Sequence, residues 1–248
     1  MRNFFANQGS TTFEMFGTVH ILLILITFII AILLYFFRDK LKKFKYKENV
    51  RYIMGTILLL NFVIYYLGMI LTGTCDFKNN LPLHLCFITN FFMIYILFSG
   101  NKKLYKIVYF FTFIGPLPAI IWTDLKNTFD VYVFYQFIIS HHVMILTSLY
   151  LLFVLDYKVE KKYMIPAIVI GYLYVGLMAI INNIFGTNYV MLTSLPNNVL
   201  KLYPILQKIP AILSLSVAAI TAFLISYIPA YIVNKSDEKS IKLIETRN

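Results

Sequence analysis

Charge is scarce in this chain, and negative charge scarcest. Asp and Glu together number 11 against 22 Lys and Arg in 248 residues, and charged residues make up only 13% of the chain. A soluble domain carries about 25%, so a soluble fold with a large core is excluded. Cysteine is nearly absent: Cys75 and Cys86 are the only two, too few for a disulfide framework. The four histidines fall into none of the compact spacings of a zinc site, neither HExxH nor HxxxH. No glycine-rich phosphate loop, RNP-like stretch or Cys/His finger accompanies the formal charge of +11, which therefore does not signify nucleic-acid binding. No internal repeat is visible. The first apolar run lacks the basic start and small-residue cleavage site of a removable signal peptide, and reads as a spanning helix.

What abounds is apolar surface. Hydrophobic residues reach 60% and the mean hydropathy is +0.75. Crossing the hydrocarbon core takes ~20 apolar residues, and seven segments qualify: about 17–37, 52–72, 82–98, 104–122, 131–155, 163–185 and 209–233. The expected fold is all-α, a single seven-helix membrane domain over 1–248. The basic residues sort by connection. Arg38, Lys40, Lys42, Lys43, Lys45, Lys47, Arg51, Lys102, Lys103, Lys106, Lys158, Lys161, Lys162 and the tail cations Lys235, Lys239, Lys242 and Arg247 share one side. Arg2, Lys78, Lys126, Lys201 and Lys208 face the other. The positive-inside rule then puts the N-terminus outside and the C-terminus in the cytoplasm of a cell membrane.

This topology gives the polar residues a depth. His20 lies at the outer end of the first span, and His84 and Cys86 begin the third. His141 and His142 lie ~15 Å into the fifth at 1.5 Å per residue, and Asn182 closes the sixth. Polar groups at membrane depth are expensive, so their gathering in the outer half marks a site. The fourth span is interrupted by Gly115-Pro116-Leu117-Pro118 just before Asp124, which must kink or unwind it. Residues 186–208, with Asn188 and Tyr189, form a long outward connection suited to a lid.

Leu81-Pro82-Leu83-His84-Leu85-Cys86 is the stretch with most chemistry. By itself Cys86 reads as a small buried hydrophobe; with a histidine two residues away, a nucleophile needing a base becomes an equal reading. In a helix His84 would point ~200° away from Cys86, which instead shares a face with Asn90. A histidine of the fifth span is the better base; His141 and His142 diverge by ~100°, so only one faces the pocket. Asn182, Asn188 and Tyr189 are oxyanion donors or interfacial anchors. Two other readings stand beside this one. His20, His84, His141 and Asp124 would serve a metal-dependent seven-helix lipid hydrolase, and the same cluster would bind a solute in a transporter or receptor.

Several of these motifs resemble the family of YwaF-like bacterial integral membrane proteins, whose eukaryotic relative is transmembrane protein 164. The resemblance rests on Leu81–Cys86, His20, the glycine-containing fourth span ending near Asp124, Ser140-His141, and Gly186-Thr187-Asn188-Tyr189-Val190-Met191-Leu192. The chain departs from the pattern at Thr123, where the family has proline, and at Leu195-Pro196, where it has Lys-Pro. The resemblance implies a bacterial plasma-membrane enzyme that moves acyl groups on phospholipids through a cysteine thioester. Cys86 would be the nucleophile, His141 the favoured base and His84 an assistant in orientation or proton transfer. His20, Asn90, Asp124, Asn182, Asn188 and Tyr189 would bind substrate. No cofactor or metal is called for, the partners are membrane phospholipids, and the sequence leaves the oligomeric state open.

Overall fold

The computed structural model describes residues 1–6 and 8–245. Of the tail cations counted above, Arg247 and the side chains of Lys239 and Lys242 lie outside the described residues. Every regular element among the described residues is helical. The principal helices are α1 (Thr18–Phe36), α2 (Lys47–Leu71), α3 (Leu85–Ser99), α4 (Lys102–Ile121), α5 (Tyr132–Phe153), α6 (Lys161–Phe185) and α7 (Ala211–Glu245). All but α3 are long and apolar enough to cross a membrane.

α3 is the short member. Its 15 residues span ~22 Å at 1.5 Å per residue, less than the ~30 Å hydrocarbon core. The sequence places its start near Pro82; the helix begins only at Leu85, because His84 is extended (ψ 145°) and stands as the N-cap residue. His84 therefore lies outside the helix, and the ~200° helical offset from Cys86 does not apply to it. At the other end Gly100 turns left-handed (φ 72°), a conformation glycine adopts without a Cβ penalty. The Asn101 side chain then accepts from Leu104 N–H at 3.0 Å and caps α4.

Arg51 fixes this hairpin. The sequence assigns it to a loop, but it is buried inside α2 and donates to the carbonyls of Leu97 (2.7 Å) and Ile96 (3.5 Å). A cation on the last carbonyls of α3 satisfies acceptors that the helix cannot and complements its dipole. Ion pairs hold the rest of this basic end: Lys106–Glu160 at 2.7 Å, Lys162–Glu160 at 2.5 Å and Lys42–Asp156 at 2.6 Å.

The core runs along α4 and α5. Tyr105, Tyr109, Phe110, Met144, Leu151 and Leu152 are fully buried there, joined by Met93, Ile96 and Leu97 of α3 and Leu58 of α2. The buried tyrosine hydroxyls donate to main-chain carbonyls, Tyr105 to Ser148 (2.7 Å) and Tyr109 to Ser226 (2.8 Å), as buried phenols must. Helices α1, α6 and α7 ring this core and expose aliphatic side chains such as Leu25, Leu173 and Leu224, the surface that lipid requires.

Two interruptions shape the end opposite the basic one. α4 breaks at Gly115 and resumes through Pro116–Ile121, since both prolines withdraw donors from the ladder. In α5, residues Ile139–Val143 form a π turn, a feature that often marks functional sites. The N-terminal segment is strapped over this end by Asp130, which accepts from Ser10 N–H (2.5 Å), Thr11 N–H (2.9 Å) and both hydroxyls. Those bonds, Thr11 foremost, lower the Asp130 pKa to about 2.

Candidate functional site

Cys86 occupies the first turn of α3. Phe87 N–H and Ile88 N–H both bond the His84 carbonyl (2.9 and 3.3 Å), whereas the amides of Leu85 and Cys86 have no acceptor among the described residues. These are the orphan donors that every helix start leaves. Gly115, at the break in α4, lies over them: a Cβ there would stand 3.7 Å from Cys86 N. Cys86 is half-buried as a residue, and its thiol is close enough to Tyr66 and Tyr174 to interact electrostatically with both. No histidine nitrogen is within hydrogen-bonding reach of its sulfur among the described residues.

The His84 imidazole is pinned from the far side. Its Nδ1 accepts from Val190 N–H at 3.4 Å, and its ring meets Tyr189 edge-on at 5.4 Å. Val190 pays for this position with φ 59°, a left-handed conformation that strains a β-branched residue. The 186–208 connection is thus stitched to the Leu81–Cys86 stretch, helped by Tyr189 Oη donating to Lys78 O (2.7 Å) and Tyr174 Oη to Leu83 O (2.6 Å).

His141 sits in the π turn. Its Nδ1 is 2.8 Å from the Phe137 carbonyl; a carbonyl cannot donate, so Nδ1 carries the proton. Ser140 Oγ stands 3.0 Å from the same nitrogen, and the Phe137 ring stacks on the imidazole at 4.1 Å. Nε2 is thereby left as a lone-pair acceptor with no partner among the described residues. His141 and His84 are close enough to interact electrostatically. His142 turns away, its Nδ1 2.5 Å from the Thr27 hydroxyl of α1, so the two histidines diverge as helical geometry requires.

The other sequence-selected residues fall into two groups. Asn182 is used up in its own loop: Oδ1 accepts from Tyr189 N–H (2.7 Å) and Thr187 (2.8 Å), and Nδ2 donates to Tyr189 O (2.9 Å). Asn188 clamps residues 193 and 194 in the same way. His20 receives Phe16 N–H on Nδ1 (2.9 Å) and donates from Nε2 to Ile120 O (2.6 Å), tying α1 to the end of α4. Asp124 is exposed, and among the described residues no three His, Cys, Asp or Glu side chains group as metal ligands. Asn90 is the opposite case. It is 2% exposed, lies one turn below Cys86 on the same face, and its Oδ1 has no hydrogen-bond partner.

Sequence reasoning missed Asn61. This buried α2 residue donates to the Gln136 carbonyl at 3.1 Å, and the Gln136 side chain reaches Ser140 Oγ at 3.3 Å, one bond from His141. An asparagine in the middle of an apolar span was the available signal. Tyr66 and Tyr174 carried none, being two of 19 tyrosines.

Six long apolar helices enclosing these polar groups define a polytopic, multi-pass α-helical membrane protein. Residues 15–227 match the model of the TMEM164 family, and the chain belongs to that family. The match includes Cys86 and all four histidines. Among curated proteins and among solved structures, none matches the chain.

Proposed function

We propose that this protein is a membrane-embedded enzyme that transfers an acyl group from a phospholipid through a thioester on Cys86. With the basic end toward the cytoplasm, the reaction lies in the outer half of the bilayer. The observation that carries the reading is the first turn of α3, where the thiol of a half-buried cysteine stands beside two backbone amides with no intrahelical acceptor. Amides aimed where negative charge develops are the usual means of stabilising acyl transfer. Asn188 spends its amide on Ser194 and Asn182 is held within its own loop, so the Leu85 and Cys86 amides take the oxyanion role.

In this scheme the thiol proton passes to His141 Nε2 through an intervening water. The sulfur attacks the ester carbonyl, the tetrahedral oxyanion rests on the two amides, and its collapse expels the lysolipid alkoxide, which takes up the proton. A hydroxyl of a second lipid, or water, then attacks the thioester with His141 again accepting its proton; collapse expels the Cys86 thiolate, which takes that proton back. His84 orients the ester from the lid side. Asn90 is placed to bind the incoming lipid with its free amide oxygen.

The test uses purified full-length protein and a phospholipid with an isotope-labelled acyl chain. A hydroxylamine-sensitive adduct is expected on the peptide containing Cys86. Cys86→Ala should lose it and reduce turnover by at least ~10³-fold, while Cys75→Ala retains both. Undiminished turnover in Cys86→Ala overturns the proposal. Label in a second lipid identifies a transferase, and label in free fatty acid a hydrolase.

A further inference from the structure

The elbow between α1 and α2 encloses a second feature, at the basic end and far from Cys86. Phe36 ends α1, and the chain bends at Phe37 into a short helix, Arg38–Lys42. In the bend lies a groove of ≈ 470 Å³, within the roughly 300–1,000 Å³ of small-molecule sites. Ile30, Leu33, Leu34 and Phe37 form one wall at i, i+3, i+4, i+7 spacing, and Leu41 and Phe44 form the other; Lys40 and Lys43 stand in its lining.

The cations of the elbow are not equivalent. Arg38 donates to Ser236 Oγ (3.1 Å) and to Tyr35 O (3.1 Å), Lys42 pairs with Asp156 (2.6 Å), and Lys47 donates to Lys42 O (2.7 Å). Lys45 lies over the Tyr46 ring. Those contacts brace the bend against α2, α7 and the 154–160 connection. Only Lys40 and Lys43 have no partner among the described residues, and both are exposed. They are also the only two cations that line the groove. A braced apolar groove whose two free ammonium groups share its mouth is complementary to a ligand with a hydrocarbon tail and a negative head.

We infer that this elbow is a binding site for one anionic phospholipid of the leaflet that the basic end faces, separate from the acyl-transfer site. The phosphate and its anionic headgroup sit between Lys40 and Lys43. One acyl chain runs down the groove along Leu34, Leu33 and Ile30. The bracing contacts keep the groove open before the lipid arrives, so little ordering cost falls on binding.

Purified full-length protein, exchanged into detergent with either dioleoyl phosphatidylglycerol or dioleoyl phosphatidylcholine, is examined by native mass spectrometry. One tightly retained phosphatidylglycerol is expected, favoured over phosphatidylcholine by about tenfold or more. The double variant Lys40→Gln/Lys43→Gln should remove that preference, and Leu33→Trp, which fills the groove without touching charge, should release the lipid. Lys102→Gln/Lys103→Gln, which neutralises two cations outside the groove, should change nothing. The site is overturned if the Lys40/Lys43 variant keeps the preference, if the Lys102/Lys103 variant loses it equally, or if Leu33→Trp retains the lipid. Inorganic phosphate alone should not compete at millimolar concentration; full competition would mean a bare phosphate site and would also overturn the proposal. Melting temperatures of all variants distinguish lost binding from lost fold. Failure here leaves the reading of Cys86 untouched, because no variant alters that end.

Discussion

The two ends of the bundle are held together by different chemistry. At the basic end, ions do the work: Arg51 on the α3 carbonyls, Lys106 and Lys162 on Glu160, Lys42 on Asp156. At the far end, apart from the Asp130 strap, neutral groups do it, with Asn61, Tyr174, Tyr189, Asn182 and His20 all bonded to main-chain atoms. Ion pairs tie down much of their end, leaving Lys40, Lys43, Lys103 and Lys161 exposed and, further along α5, Thr147 Oγ1 buried with no partner among the described residues. The neutral network stops short of completion. The Leu85 and Cys86 amides, His141 Nε2 and Asn90 Oδ1 remain without partners among the described residues. An end built for stability satisfies its polar groups; an end built to meet a substrate keeps some in reserve.

That contrast can be broken by substitution. The largest effect should come from His141→Gln, which keeps a polar side chain of similar size but removes the basic nitrogen. Turnover should fall by roughly 10²–10⁴-fold with little change in melting temperature; a large thermal shift with proportionate activity would make His141 a structural residue. Arg51→Leu should do the reverse. It strips the cap from α3 and should cost about 3 kcal/mol, read as a melting point lower by about 6–12 °C, with turnover preserved in molecules that stay folded. Asn61→Leu falls between. It removes one of the two bonds to the Gln136 carbonyl, which keeps the Ile139 N–H, at about 1 kcal/mol, and should lower turnover beyond what stability explains, because it loosens the π turn carrying His141.

The smallest effect belongs to two half-buried carboxylates, one per end. Thr11 and Ser10 bonds lower the Asp130 pKa to about 2, and the Lys106 and Lys162 bonds lower that of Glu160 to about 2. A depressed carboxylate stabilises the fold fully above its unfolded value near pH 4 and loses that contribution as the pH falls through about 2. Thermal melts from pH 7 to pH 2 should stay flat to about pH 4 and then decline. Asp130→Asn should remove its share of the decline and leave that of Glu160.

Much of this was legible in the sequence, and what was not has physical causes. The all-α membrane fold followed from long apolar runs, and the break at Gly115-Pro116 from residues that cannot continue a helix. The divergence of His141 and His142 followed from 100° per residue. The start of α3 was misplaced because hydropathy counts Leu81, Pro82 and Leu83 as span, while the backbone keeps His84 extended. The π turn has no compositional signature, since the same residues satisfy an α-helical pattern. Arg51 looked like a loop cation because burial of a guanidinium on helix carbonyls is a tertiary event. Asn182, Asn188 and Tyr189 were visible as a polar motif, yet only coordinates reveal that their hydrogen bonds close on one another.

The Arg51 cap also makes α3 a ruler. Leu97, whose carbonyl Arg51 grips, lies eleven residues beyond Cys86, so the thiol stands ~16 Å along the axis from a fixed point. Its height in the bilayer is counted from the opposite surface rather than held by the loops around it. Adding one residue between Cys86 and Ile96 would raise the sulfur by ~1.5 Å and swing it ~100° off its face, whereas adding four would return it to that face ~6 Å higher. Under the proposed acyl transfer, the length of this short helix would set which part of a lipid's ester region the thiol can touch.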